Sequence, residues 1–152
     1  MRLKFHVPGR PQPAGSKRGF PFRRADGRIG VNVSDDNKQL KPWQAAVRSE
    51  AQLAYRGDVL RGPISVKLTF YLTRPKGHFG AKGVRPGAPR YPTVKPDVLK
   101  LARAVEDACT GILWNDDAQI VEEHLAKYYG PQDGCVIEVE TFENEVLGLI
   151  VR

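Results

Sequence analysis

From Lys95 to Gln119 the chain reads K-P-D-V-L-K-L-A-R-A-V-E-D-A-C-T-G-I-L-W-N-D-D-A-Q. Val98, Leu101, Ala102, Val105, Ala108 and Cys109 recur at helical spacing, which predicts a helix from Asp97 to about Thr110 with one apolar stripe. Pro96 and Asp97 suit its start, where an acid meets the positive end of the helix, and Gly111 suits its stop. Leu99 falls off the stripe, beside Arg103 and Glu106, where a polar residue is expected. Asp116 and Asp117 follow in a short turn, so acids stand at both ends of one helix-loop unit. Oxygen donors of this kind suit a hard divalent cation. Each acid also has an ordinary role: Asp97 as a helix cap, and Asn-Asp-Asp as a favourable turn composition.

Working outward, Ile64, Val66, Leu68, Phe70 and Leu72 alternate with polar residues and Tyr71, the clearest strand signal in the chain. Leu3, Phe5 and Val7 alternate in the same way, as do Cys135, Ile137 and Val139, and the segment from Ala118 to Tyr129 reads as a strand with mixed faces. Leu40, Trp43, Val47, Ala51 and Ala54 predict a helix from about Leu40 to Tyr55, with Pro42 tolerated in its first turn. The apolar tail from Val146 to Val151 suits a short strand or a subunit contact. At 152 residues and 41% hydrophobic content, the chain is long enough for one core and short for two. The expectation is one domain over residues 1–152, of mixed α/β (α+β) class.

Charge is distributed unevenly. Six basic residues and one acid lie between Arg10 and Arg28, and six basic residues with no acid lie between Arg74 and Lys95. From Glu106 onward there are eleven acids against two bases. Both basic stretches are rich in Gly and Pro and read as loops, over about residues 9–30 and 74–95. Lys17, Arg18, Arg23 and Arg24 in the first, and Lys76, Lys82 and Arg85 in the second, are candidate phosphate contacts, with Lys95 and Lys100 beside Asp97 added to them. Basic loops also serve solubility alone.

No apolar run approaches the ~20 residues that span a bilayer, and Met1 leads into charged alternation, so no membrane association and a cytoplasmic location are expected. Cys109, Cys135, His6, His78 and His124 show no metal-ligand spacing, and both thiols read as small buried side chains.

The stretch K-P-D-V-L-K-L, the helix after it and the turn D-D-A-Q-I together resemble the RusA family of Holliday junction resolvases. The opening F-H-V-P-G-R-P-Q-P-A-G-S-K-R, the lead L-K-P-W and the loop R-P-K-G-H-F-G are similar to phage and prophage members, so the resemblance covers most of the chain. Leu99 stands where the family pattern has a second aspartate. The resemblance implies a small mixed sheet of about four strands packed by two main helices. It implies a homodimer that binds four-way DNA junctions and cuts two strands with Mg2+, or Mn2+ in its place. Asp97, Asp116 and Asp117 would then be metal-binding and catalytic, and Arg103 would hold the scissile phosphate. Two other readings stay open: a branched-DNA binding protein whose cleavage is weakened or lost through Leu99, and a nuclease of other branched DNA or of structured RNA.

Overall fold

A computed structural model describes residues 1–15, 17–35 and 37–142; the reading of Val146–Val151 lies outside these. The chain forms β1 (Arg2–Pro8), β2 (Lys17–Arg23), β3 (Ile29–Asp35), α1 (Leu40–Ala54), β4 (Ile64–Leu72), β5 (Phe79–Gly80), β6 (Gly83–Val84), α2 (Val98–Cys109), β7 (Ile120–Tyr129) and β8 (Gly134–Thr141). The main sheet has the order β1-β8-β4-β7. β8 runs antiparallel to β1 and β4, and β4 runs parallel to β7, so the sheet is mixed. This is a small single-domain α+β fold with four main strands and two helices.

One face of the sheet carries the core. Ile64, Val66, Leu68 and Phe70 of β4 are buried with Cys135, Ile137 and Val139 of β8, and α1 and α2 cover them through Trp43, Val47, Leu101, Val105 and Ala108. Hydrocarbon from two helices and one sheet face thus leaves water together, which is the main favourable term in folding. The predicted stripe of α2 is buried except for Val98, which is half-buried, and Ala104 joins it. Leu99 is 70% exposed, as its angular position requires. Ala54, the last residue of α1, is exposed, and the buried stripe of that helix ends at Ala51. Both cysteines are free and buried; burial pushes the Cys109 thiol up to about 12 and raises that of Cys135 as well.

The opposite sheet face is open, and its charges are matched across strands. Arg2 pairs with Glu140 at 3.0 Å, and Lys4 and Lys67 both approach Glu138 at 3.7 Å. Acids of the C-terminal part therefore sit among bases of β1 and β4, and the charge segregation seen along the sequence is partly undone in space.

The first basic stretch is not a loop throughout. From Lys17 to Asp35 it is an antiparallel two-stranded ribbon, turning at Asp26 and Gly27. Pro21, Gly19 and Gly30, which read as strand breakers, are tolerated because the ribbon has only two strands and each has a free edge. The second stretch stays mostly irregular, with one short turn of 3-10 helix at Lys76–His78 and the two-residue pair β5 and β6. Its root is pinned by Arg74, whose guanidinium lies 4.5 Å from the Tyr129 ring centroid and donates to the Pro89 carbonyl.

Leu68 and Leu99 make a matched test of this arrangement. Leu68→Ala is expected to cost ~2–5 kcal/mol of unfolding free energy, and Leu99→Ala less than ~0.5 kcal/mol, measured by urea denaturation.

Candidate active site at the two ends of the crossover helix

Two parallel neighbouring strands cannot be joined by a tight turn, so the chain must cross the sheet between β4 and β7, and α2 is that crossing. Everything singled out between Lys95 and Gln119 is therefore laid along one 12-residue helix and its two junctions.

At the first junction Asp97 is the N-cap, with extended backbone, but its side chain makes no capping hydrogen bond. The ordinary cap role is thus not taken up, and among the described residues the exposed carboxylate is left uncommitted. Lys127 of β7 holds the approach to this point, donating from Nζ to the carbonyls of Val94 (2.7 Å) and Pro96 (2.9 Å). Lys95 and Lys100 flank Asp97 and are exposed, as is Arg103 on the outward side of α2 beyond Leu99.

At the second junction the turn after α2 is tightly built. Asp117 Oδ1 accepts from the Trp114 indole N–H at 2.9 Å and from the Thr110 hydroxyl, which fixes one carboxylate oxygen against the end of the helix. Asp116 Oδ1 accepts from the Ala118 N–H at 2.8 Å. Gln119 Oε1 accepts from the N–H groups of Asn115 and Asp116 (2.8 and 2.9 Å), and its Nε2 donates to the carbonyls of Leu60 and Gly62 (2.9 and 3.0 Å). The amide of Gln119 thus fastens the acidic turn to the segment that leads into β4. Arg61 and Gly62 line a shallow pocket with Asn115, Asp116 and Gln119.

Two further acids belong to this end. The side chain of Glu106 of α2 faces that of Glu123 of β7, with Asp117 and Asp107 nearby. Burial, then the Glu123 contact and the charges of Glu123, Asp117 and Asp107, push the Glu106 carboxyl from its ordinary 4.5 up to about 8. Sequence reading missed this pair, since the partners come from different elements and meet only when α2 packs beside β7. Gln119 carried a legible signal: Asp116-x-x-Gln119 has the spacing of a capping box, and that box is formed.

The predicted acids are not brought to one point. The axis of α2 advances ~20 Å between residues 97 and 110, and Asp117 is bonded to Thr110, so Asp97 stands a full helix length from Asp117. Among the described residues no three Asp, Glu, His or Cys side chains are grouped to hold a metal. A hard divalent cation therefore fits these donors in kind, as carboxylate oxygens, but among the described residues not in number within one chain. Of the candidate DNA contacts, Arg23, Arg24, Lys76 and Lys82 are exposed. Arg85 is exposed too, though its Nε is committed to the Phe79 carbonyl at 3.0 Å. Lys17 and Arg18 open β2.

Comparison with known proteins adds two findings. The family model described as Endodeoxyribonuclease RusA matches residues 8–140, nearly the whole chain. A Bacillus subtilis (strain 168) protein named uncharacterized protein YqaN is 28% identical over 134 residues, 86% of this chain and 89% of that protein.

The raised Glu106 carboxyl gives a pH test. Below pH 4.5 it is protonated whether the chain is folded or not; between 4.5 and about 8 the folded chain keeps a proton that the unfolded chain has released, so stability falls as pH rises through that window. In chelator-treated buffer Glu106→Gln is expected to melt higher than the wild type at pH 8, with the difference shrinking towards pH 4.5. A constant difference across that range would mean that Glu106 is not held protonated.

Proposed function

We propose that this chain, which belongs to the RusA family of endodeoxyribonucleases, is a divalent-metal-dependent, structure-specific endonuclease that resolves four-way DNA junctions as a homodimer. The observation that carries the reading is an acid set split between the ends of α2: Asp97 at one end without a capping hydrogen bond, and Asp117 at the other with one carboxylate oxygen fixed by Thr110 and Trp114. The family is one of endodeoxyribonucleases, which makes DNA the substrate class.

A phosphodiester is anionic and repels a nucleophile, and a bound divalent cation supplies charge neutralisation and activation of water there. Asp117 and Asp116 would hold it at one end of α2, and Asp97 at the other. Since ~20 Å of helix separates these ends, the three acids can serve one cation only if a second copy presents its Asp97 to the Asp116–Asp117 turn of the first. A two-fold dimer then contains two equivalent shared sites, which suits two symmetric cuts. Trp114 and Thr110 fix the direction of Asp117, and Gln119 keeps the turn in register with the core. Arg103, exposed on α2 between the two ends, would receive the scissile phosphate. Lys76 and Lys82 on the second basic stretch, and Lys95 and Lys100 beside Asp97, supply phosphate contacts along the arms. No helix among the described residues is long and apolar enough to cross a membrane, and we place the protein with DNA in the cytoplasm.

Leu99 separates this reading from a branched-DNA binding protein that does not cut. Its side chain is exposed, so an aspartate there removes little buried contact. Cleavage of a synthetic junction is expected from the wild type with Mg2+ or Mn2+, and Leu99→Asp is expected to lower the metal concentration required. Asp117→Asn is expected to lose cleavage by at least ~100-fold while binding the junction as well or better, because a carboxylate near phosphate repels it until a cation is present. Binding without cleavage in both the wild type and Leu99→Asp would favour the non-cutting reading. A panel of flap, duplex and structured RNA substrates tests the junction preference.

A further inference from the structure

The ribbon of β2 and β3 is built for more than phosphate contact. Its root is fixed near the first end of α2: the Ala14 N–H donates to the Lys100 carbonyl at 2.9 Å, and the Asn37 side chain donates to Gln12 Oε1 at 3.0 Å. Its tip is also firm. The Arg24 N–H donates to the Arg28 carbonyl at 2.7 Å, Asp26 Oδ1 accepts from the Arg28 N–H at 2.9 Å, and Gly27 takes the left-handed turn at φ 83° that favours glycine. Between root and tip, among the described residues, the two strands pair only with each other.

The exposed surface of this arm is apolar on both faces. Phe20 and Phe22 share one face, opposite Asn32 and Gly30, and Ile29 and Val31 share the other. They are 50%, 40%, 73% and 62% exposed, a concentration of bare hydrocarbon that a soluble surface ordinarily avoids. The Phe22 ring lies over Gly30, where an added Cβ would come within 2.7 Å of it, and Arg24 lies alongside. Arg23, paired with Ile29, and Arg24 and Arg28 stand at the tip end beside these side chains, with one acid there, Asp26, 4.0 Å from Arg28. Two such arms would repel each other, whereas a polyanion with exposed flat apolar surfaces would match both properties. DNA offers that combination where base stacking is interrupted, and apolar side chains are used to wedge such steps open. A two-stranded ribbon also has the width that a major groove admits.

We propose that the β2–β3 ribbon is a branch-point wedge: Phe20 and Phe22 stack on bases unstacked where the DNA arms cross, while Arg23, Arg24 and Arg28 hold the flanking phosphates. This rests on the branched-DNA reading above and adds a source of selectivity to it. Phosphate contacts are common to duplex and junction, but interrupted stacking belongs to the junction.

The test uses the full chain, a four-way junction carrying 2-aminopurine either at the crossing or in mid-arm, and a matching duplex. The wild type is expected to change the fluorescence of the probe at the crossing and not that of the mid-arm probe. Phe20→Ala/Phe22→Ala should abolish that change and weaken junction binding by about 5- to 100-fold, with duplex binding within about twofold. Phe20→Trp/Phe22→Trp should retain both signals. Arg23→Gln/Arg24→Gln should instead weaken junction and duplex alike and reduce the log-log salt slope by about two. If the alanine variant loses junction and duplex binding equally, or if it sediments at half the wild-type mass, the ribbon is a phosphate clamp or a dimer arm and the wedge is overturned. A wild type that binds junction no better than duplex, or does not cut it with metal, counts against the branched-DNA reading itself, a result distinct from a selective wild type with an unaffected alanine variant.

Discussion

The parallel pairing of β4 with β7 is the constraint on which the rest of the molecule depends. Parallel neighbours need a crossover, the crossover here is α2, and its apolar stripe covers the sheet with Leu101, Val105 and Ala108. Once that stripe faces inward, Asp97 must stand at one end, Leu99 and Arg103 must look outward, and the chain must turn at Asn115–Asp117 before entering β7. Gln119 ties that turn to the carbonyls of Leu60 and Gly62, just ahead of β4, so both strands of the parallel pair help to hold the acids. Core and candidate site are therefore one construction.

The parts that local periodicity governs were legible in the sequence. The alternation of β4 and the stripe of α2 each follow from a repeat of two or of about 3.6 residues, and the exposure of Leu99 follows from the same repeat. The ribbon was not legible, because Gly19, Pro21, Gly27 and Gly30 carry the composition of a loop. Only the pairing of two free-edged strands makes them compatible with a ladder. Glu106 and Glu123 were missed for a different reason: neither belongs to a motif, and they meet through the packing of α2 beside β7. The three aspartates were found in order along the chain, but order along a chain does not reveal that a helix holds its two ends apart.

Electrostatics separates surfaces for different tasks. The open sheet face balances Arg2, Lys4 and Lys67 against Glu138 and Glu140 and so offers little net field. The exposed bases of the ribbon and of the Arg74–Lys95 stretch, with Lys100 and Arg103 on α2, are the surfaces that the proposed reading assigns to a phosphate backbone. Burial of Glu106, followed by its contact with Glu123 and the charges of Glu123 and Asp117, lets that carboxyl keep its proton near neutral pH.

Subunit mixing tests the shared site most directly. On the proposed reading, Asp97→Asn and Asp117→Asn are each expected to be inactive alone and to form a heterodimer when exchanged. If the acids are contributed in trans, one of its two sites joins an intact Asp97 to an intact Asp117 and the other joins two asparagines. The mixture is then predicted to regain metal-dependent nicking of one junction strand. Heterodimers that form, as shown by sedimentation of differently tagged chains, yet stay as inactive as either parent would contradict the shared site and return all three acids to a single chain.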